Sequence, residues 1–322
     1  MRGEVKAEVL DLVTKTRERS DWPLEPILKA LGVTRSVYFD WLRRRAAGRL
    51  EDAPPVAPRL DRLLPDEESF IRAFALAHPR VGYRKLTWMM VDRGVAYVSE
   101  SAVYRVLRDA ELLSRWKKST RSPGEYRFRP IGPNQQWHTD VMYVWVAGRH
   151  YFLLSFVDAF SRYIVHHKLL LDLNGKAVAT ELLTALETLP AGQRPRIVHD
   201  HGSEFCNKEL QAVVKAHDLI DIATRPRHPE SNGIAERFNG TMRDEAEDMY
   251  GANYLEAEKR IERIIREYCD ERLHAALGYI EPREVHFGDP ERRKQLRADK
   301  LALGRQVRRE RNRLALAGQQ AA

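Results

Sequence analysis

The N-terminal part of the chain alternates short apolar-periodic segments with glycine and proline, which is typical of small helical units. Residues 24–31 form one such segment, which ends at Gly32, and residues 36–45 form a second, which Thr34 is placed to cap. Two short helices joined by a glycine-containing turn predict a helix-turn-helix within residues 1–50. An ordinary helical hairpin would show the same pattern, so DNA binding by this unit is an interpretation that needs further support.

A proline-rich stretch separates this unit from a second helical pattern. Residues 51–65 contain Pro54, Pro55, Pro58 and Pro65, and we expect them to form an extended linker. Three apolar-periodic segments follow, at 68–77, 84–93 and 100–110. They predict a second helix-turn-helix unit over residues 66–116, with Ser99 as the cap of its last helix. Residues 117–130 are basic and rich in turn formers, and we interpret them as a connector.

From Gln136 onward the pattern changes to strand-like runs rich in Val, Tyr, Phe and Trp. The predicted strands are 138–146, 149–157, 163–170, 196–199 and 220–224, and the predicted helices are 176–189, 208–217 and 232–250. The first two strands are joined by Ala147-Gly148, which predicts a tight hairpin turn. Three antiparallel strands followed by alternating helices and strands predict an α/β domain over residues 131–290. Its layout would be a ribonuclease H-like mixed sheet with helices on both faces.

Composition narrows the class of protein. The chain has 322 residues, enough for two or three domains, and its hydrophobic fraction of 43% suits a globular protein. No apolar run approaches the roughly 20 residues of a membrane span, so we expect no membrane association. The two cysteines, Cys206 and Cys269, lie far apart in sequence, which favours a reduced, cytoplasmic setting over a disulfide-stabilised secreted protein.

Positive charge is concentrated near the C-terminus. Residues 291–313 contain ten Lys or Arg and three Asp or Glu, which gives +7 of the net +8 carried by the whole chain. A basic segment of this kind is typical of proteins that bind a polyanion, so we expect residues 291–322 to be a basic tail. A solvated helix or a disordered end would have the same composition.

Three carboxylates occur where a sheet of this kind places its chemistry. Asp140 lies inside the first predicted strand, where burying an acid is costly unless a positive group binds it. Asp200 ends the fourth strand, and Glu236 lies in the first turns of the last helix of the domain, with 35 residues between these two acids. Hard divalent cations such as Mg²⁺ prefer oxygen ligands, and a pair of them can assist an in-line displacement at phosphorus. A single acid at any one of these places is a common surface feature, whereas the three acids together are a far more specific signal of function.

The residues around these acids resemble a known family. The core motifs are Trp137-His-Thr-Asp140, Val157-Asp-Ala-Phe-Ser-Arg162, Asp200-His-Gly-Ser-Glu-Phe205 and His228-Pro-Glu-Ser-Asn-Gly-Ile-Ala-Glu236-Arg-Phe-Asn-Gly, and the upstream motifs are His78-Pro-Arg-Val-Gly-Tyr-Arg84 and Val103-Tyr-Arg-Val-Leu-Arg108. Together they resemble bacterial insertion-sequence transposases, whose integrase core is similar to that of retroviral integrases. The family's Asp, Asp and Glu have the same 35-residue spacing, and a basic residue follows the Glu by seven positions, here Arg243. The family usually has Asn directly after its second Asp, where this chain has His201.

The resemblance implies a function and its requirements. Asp140, Asp200 and Glu236 would be the catalytic residues and would bind two Mg²⁺ or Mn²⁺ ions per active site. The reaction would be cleavage at transposon ends and transfer of the 3′ hydroxyls into target DNA. The partners would be double-stranded DNA, both the transposon ends and the target, and other copies of the chain in a dimer or larger homo-oligomer. A partner protein from the same element is a further possibility, and the setting would be the bacterial cytoplasm.

Basic residues outside the acid set are the candidates for DNA contacts. They are Arg35, Arg43 and Arg44 in the first helical unit, Arg105 and Arg108 in the second, Lys117 and Lys118 in the connector, and Arg243 beside the core acids.

Three other interpretations of the chain stay open. The chain could be a non-catalytic DNA-binding regulator derived from a transposase, or a nuclease that cuts without joining. Alternatively, His199, His201 and His228 could form a zinc site, although their spacing matches no ligand pattern known to us.

Overall fold

The computed structural model describes residues 3–52, 59–113, 128–224, 232–245 and 253–321, with side chains to residue 318. These residues form two compact units, Met1–Leu60 and Asp61–Ala322. Each unit is described by itself below. In the described residues no helix is both long and apolar enough to cross a bilayer.

The first unit consists of three helices: α1 (Gly3–Arg19), α2 (Leu24–Ala30) and α3 (Arg35–Ala46). Its core is formed by Leu10, Val13, Ile27, Leu28, Tyr38 and Trp41. The Thr34 hydroxyl accepts the hydrogen bond of the Val37 N–H, as expected for the cap of α3. Gly32 adopts φ +67° between α2 and α3, a conformation in which a side chain would be strained, and this explains the glycine at the turn.

The second unit begins with three more helices, α4 (Pro65–Ala77), α5 (Tyr83–Asp92) and α6 (Glu100–Asp109). Their core includes Ile71, Leu86, Met90, Val98, Val103 and Leu107. The Ser99 hydroxyl accepts from the Ala102 N–H and caps α6, as predicted. These helices occur where the sequence pattern predicted them, with ends that differ by at most three residues.

A five-stranded mixed sheet follows in the same unit. Its strands are β1 (Gln136–Val146), β2 (Arg149–Asp158), β3 (Ile164–Leu170), β4 (Arg196–His199) and β5 (Ile220–Ala223). The spatial order is β3-β2-β1-β4-β5, in which β1, β2 and β3 pair antiparallel while β4 pairs parallel with β1 and β5. Ala147 and Gly148 both have positive φ and form the predicted turn between β1 and β2.

Helices cover both faces of this sheet, which confirms the predicted ribonuclease H-like α/β class. The helices are α7 (Gly175–Glu187), α8 (Lys208–Ala216), α9 (Gly233–Glu245) and α10 (Tyr254–Asp270). One face packs against α7 and α8 through a core that includes Trp137, Phe156 and Leu182. The other face packs against α9 and α10, where Met142 and Phe238 are buried. Successive β1 residues alternate between these two cores, so Asp140 lies on the α9 side.

The C-terminal part returns to the second helical group. After a 3-10 turn (Ala275–Leu277) come α11 (Pro282–Phe287) and α12 (Pro290–Ala321). The Arg297 guanidinium donates to both Asp92 carboxylate oxygens at 2.9 and 2.6 Å and to the carbonyls of Gly278 and Tyr279. Arg308 donates to Glu67 at 2.8 Å. The basic tail is therefore a helix that is fixed to α4 and α5 by buried ion pairs.

Candidate active site

Asp140 lies at the junction of β1 and α9. Its Oδ1 accepts the Val141 N–H at 2.9 Å, and its Oδ2 accepts the Asn239 side-chain amide at 2.8 Å. Asn239 is one turn beyond Glu236 on α9, so this bond fixes the helix that carries Glu236 against the strand that carries Asp140. The other amide atom, Asn239 Oδ1, is buried and has no hydrogen-bond partner among the described residues.

A second contact holds the start of α9 to β1. The Asn232 amide donates to the Thr139 carbonyl at 3.1 Å, and Asn232 Oδ1 lies 3.1 Å from His138 Nδ1. Burial lowers the pKa of His138 to about 4, so this ring is neutral at neutral pH. The hydrogen-bond pattern then assigns its proton to Nδ1, which donates to Asn232, while Nε2 accepts from Gln136 at 2.8 Å.

The charges of the other two predicted acids, Asp200 and Glu236, act on Asp140. Burial, with smaller contributions from the charges of Asp200 and Glu236, raises the pKa of Asp140 to about 6, against the lowering effect of the Val141 and Asn239 hydrogen bonds. In these surroundings the charged form of the carboxylate is unfavourable at neutral pH unless a cation compensates its negative charge. Its set of carboxylate oxygens is the kind that hard divalent cations prefer.

Asp200 directly follows β4 and is exposed. Its Oδ1 accepts the Gly202 N–H at 3.0 Å. The preceding residue, His199, is buried; its Nδ1 lies against the Asp200 carbonyl, and its Nε2 is 2.8 Å from Asp221 Oδ1. Burial opposes the charge of His199, but the Asp221 carboxylate and the Asp200 carbonyl together outweigh it, so the pKa of His199 is raised. The Asp200 backbone is thus fixed to β5, a contact that the sequence analysis did not predict.

Glu236 is partly buried in the first turns of α9, and Arg243 is exposed seven residues later. Seven residues are close to two helical turns, so the two side chains leave α9 on nearly the same side. Within the ranges that the structure describes, no three His, Cys, Asp or Glu side chains already have the geometry of a metal site. For the zinc alternative, His199 is engaged by Asp221, His201 is exposed, and His228 lies outside the described residues.

The three candidate DNA-binding arginines of the first unit differ in the hydrogen bonds and ion pairs that already occupy their guanidinium groups. Arg35 is exposed at the start of α3 and pairs with Glu25 at 3.1 Å. Arg43 is also exposed and pairs with Asp40, one turn earlier, at 3.1 Å. Arg44 folds back instead, donating to the Arg49 and Glu51 carbonyls and to the Asp52 carboxylate. Arg44 therefore secures the end of α3, and this contact competes with any role at DNA.

In the second unit, Arg105 and Arg108 lie on the exposed side of α6. Arg108 pairs with the adjacent Asp109 at 2.8 Å. The buried side of α6 consists of Ala102, Val103, Val106 and Leu107, so both arginines lie away from the core. Lys117 and Lys118 fall outside the described residues.

Comparison with known proteins finds family models and relatives that are similar to this core. Residues 131–229 and 221–282 match two families that are both described as "Integrase core domain". The "Insertion element IS600 uncharacterized 31 kDa protein" of Shigella sonnei is 24% identical over 79% of this chain and 95% of its own length. The "Putative transposase InsK for insertion sequence element IS150" of Escherichia coli K12 is 23% identical, over 83% of this chain and 94% of its own. "Transposase InsD" of the IS2 elements of Escherichia coli is 28% identical, over 64% of this chain and 73% of its own.

Solved structures with a similar chain include viral integrases. A simian T-cell lymphotropic virus intasome has a TM-score of 0.45 at 17% identity, covering 68% of this chain and 75% of the other. The HTLV-2 integrase catalytic core domain in complex with magnesium has a TM-score of 0.40 at 19% identity, covering 49% of this chain and 99% of the other.

Proposed function

We propose that this chain, which carries the integrase core domain of insertion-sequence transposases, cleaves the ends of a transposable element and joins the 3′ hydroxyls to target DNA. The observation that carries the proposal is the electrostatic state of Asp140. Its pKa is raised by burial and by the charges of Asp200 and Glu236, and this supports a site in which a cation compensates the three acids. Phosphoryl transfer on DNA is the chemistry that such a set serves in an integrase core.

The chemical nature of the acids fits a pair of hard divalent cations, Mg²⁺ or Mn²⁺. Asp140, Asp200 and Glu236 would hold them, with the phosphate of the DNA completing their coordination. When bound, such ions activate an attacking oxygen and stabilise the leaving oxygen in an in-line displacement at phosphorus. We infer that the acids draw closer when cations bind, because their repulsion is then compensated.

The neighbouring polar residues position the acids. Asn239 holds Asp140 from α9, while Asn232 and neutral His138 hold the start of α9 to β1. These contacts restrict the separation of Asp140 and Glu236 before substrate binds, which lowers the reorganisation needed during the reaction. Arg243, exposed on the Glu236 side of α9, is suited to hold a DNA phosphate beside the acids.

The remaining parts would recognise DNA. The capped helices α3 and α6 carry exposed arginines, Arg35 and Arg43 on the first and Arg105 and Arg108 on the second, and are the candidates for reading the element ends. Joining requires two ends to be brought together, so at least two copies of the chain would act in one assembly. We propose double-stranded DNA, both element ends and target, as the substrate.

A strand-transfer assay with pre-cleaved element ends and a supercoiled target plasmid tests the proposal. Asp140→Ala, Asp200→Ala and Glu236→Ala should each reduce cleavage and joining to background while binding of the ends is retained. Asp172→Ala is the matched control, because Asp172 is an exposed carboxylate in the same unit at the end of β3. It should leave both activities unchanged.

The products also separate the alternative functions. Binding without nicked or joined product would identify a non-catalytic regulator, and nicked plasmid without joined product would identify a nuclease. Joining that persists in any one of the three Ala variants would show that the acid assignment is wrong.

A further inference from the structure

Asp200 lies on an exposed loop whose position depends on contacts other than those of its own carboxylate. The loop, residues 200–207, joins β4 to α8, and we call it the Asp200 loop. The hydrogen bond to Asp200 Oδ1 comes from the Gly202 N–H, which belongs to the same loop. This bond shapes the loop but does not fix it to the sheet.

The side chain of His199, the last residue of β4, contacts the Asp200 loop at two points. His199 Nδ1 lies against the Asp200 carbonyl, where the loop begins. The imidazole also stacks on the ring of Phe205, near the end of the loop, with 5.1 Å between the ring centroids and 24° between the ring planes. His199 and Phe205 are each 1% exposed. The orientation of one buried ring therefore constrains both ends of the loop.

Asp221, in the neighbouring strand β5, sets the orientation of that ring. Its Oδ1 lies 2.8 Å from His199 Nε2, and its Oδ2 accepts from the Gln211 side-chain amide at 2.6 Å. One carboxylate oxygen is thus engaged by β4 and the other by α8. Rotation of the imidazole would leave its buried nitrogens without partners, which is unfavourable, so the contact with Asp221 selects one orientation of the ring.

This arrangement is typical of residues that support a metal ligand without binding the metal. Mg²⁺ requires nearly octahedral coordination with short bonds, so a small displacement of one carboxylate lowers its affinity. Groups that hold the ligands of a metal site in place matter for the same reason, and losing such a group typically lowers metal affinity roughly 10- to 100-fold. Asp221 contacts the His199 ring, and the ring contacts the backbone of Asp200.

We propose that Asp221, acting through His199, is a positioning residue that holds Asp200 where it binds a divalent cation. This inference rests on the proposed function, because it takes Asp200 to be a metal ligand. It deepens that function, because it assigns a role in metal binding to two residues outside the set of three acids. A contact that served only the sheet would stabilise the pairing of β4 with β5 and leave the metal affinity unchanged.

Titration of the full-length protein with Mn²⁺, without DNA, measures this role separately from catalysis. Electron paramagnetic resonance of the free ion gives the bound fraction. Asp221→Ala should weaken Mn²⁺ binding by roughly tenfold or more, because the His199 ring loses its fixed orientation. Asp221→Asn should bind nearly as the wild type does, because an amide can form hydrogen bonds with both Gln211 and His199. The matched control is Asp218→Asn, which removes an exposed carboxylate just before β5 and should leave binding unchanged.

His199→Gln separates positioning from a purely structural role. The glutamine amide can take the place of Nε2 and keep the contact with Asp221, so the pairing of β4 with β5 is retained. It has no group at the place of Nδ1 and no ring to stack on Phe205. This variant should therefore fold and yet bind Mn²⁺ about as weakly as Asp221→Ala. Combining the two changes should weaken binding no further, because both act through the same ring.

Amide hydrogen exchange of the metal-free protein gives a second readout. In Asp221→Ala and His199→Gln the amides of the Asp200 loop should exchange faster, whereas those of β1 and β2 should exchange as in the wild type. Wild-type Mn²⁺ affinity or wild-type loop exchange in either variant would overturn the proposal. Mn²⁺ binding that Asp200→Ala leaves unchanged would instead overturn the metal site of the proposed function, and this inference with it.

Discussion

Replacing Asp140 by Asn should stabilise the metal-free protein at neutral and basic pH. The carboxyl is mostly buried and faces two other acids, so its pKa is raised from 3.8 to about 6. A group whose pKa is higher in the folded than in the unfolded chain stabilises the fold at pH values below the lower pKa. That contribution is lost as the pH rises through about 6, the higher of the two values. Asn has the same shape and carries no charge, so it avoids this loss.

The size of the effect follows from the shift. A difference of about two pKa units corresponds to roughly 3 kcal/mol of stability lost when Asp140 ionises in the fold. The substitution can keep the local hydrogen bonds, because Asn239 Oδ1 has no partner in the described part of the chain. It can accept from the new amide after the Asn239 amide rotates. The variant should therefore be about 2–3 kcal/mol more stable than wild type near pH 8, and this difference should vanish as the pH falls below the unfolded value of 3.8.

Urea unfolding at a series of pH values, with and without Mg²⁺, measures this directly. Mg²⁺ should raise the stability of the wild-type protein at about pH 8 and raise that of Asp140→Asn much less, since one ligand has lost its charge. Asp172→Asn, which changes an exposed carboxylate, provides the control and should follow the wild-type curve. Equal pH dependence in Asp140→Asn and wild type would refute the electrostatic description of the site.

Two further changes test the roles of basic residues. Arg105→Ala should lower affinity for the element end more than affinity for random duplex, and competition binding should show a loss of roughly 1–3 kcal/mol for each base contact removed. Arg243→Ala should instead reduce joining more than it reduces binding of the element end. An equal loss for both duplexes would limit Arg105 to backbone contacts. Arg297→Ala should lower the free energy of unfolding by about 3 kcal/mol, because the mostly buried Asp92 then keeps only its longer contact with Arg293. The exposed Arg305→Ala should change it by less than about 0.5 kcal/mol. A small effect of Arg297→Ala would mean that α12 is only loosely held.

The sheet was predictable because its sequence carries local signals. The Ala147-Gly148 turn, with positive φ at both residues, fixes the first hairpin, and the caps at Thr34 and Ser99 set the starts of α3 and α6. Helix α10 was not predicted, although its buried residues recur at helical spacing from Ala257 to Tyr268. Many residues of α10 are charged and exposed, and in the sequence they obscure the apolar side of the helix. That side becomes evident only in the structure, where it packs against the sheet.

The acids of the candidate site could be chosen from the sequence, but the contacts that organise them could not. Asn239 lies 99 residues from Asp140, and Asn232 lies 94 residues from His138, so no local pattern links them. Buried asparagines are usual wherever a backbone group or a carboxylate needs a partner, and only the fold shows which group that is. The same holds for His199 and Asp221, which meet because β4 and β5 are neighbours.

The basic C-terminal segment shows what composition alone leaves out. Its excess of +7 predicts phosphate binding, yet Arg297 and Arg308 are buried in ion pairs with acids of α5 and α4. Each cation that neutralises a DNA phosphate adds about 0.9 to the slope of log affinity against log salt, but a cation already paired inside the fold adds little. Deleting the whole helix would remove both kinds of charge at once and unfold part of its support. The contribution of α12 to DNA affinity has to be measured on its outward residues, such as Arg305 and Arg309, while Arg297 and Arg308 are kept.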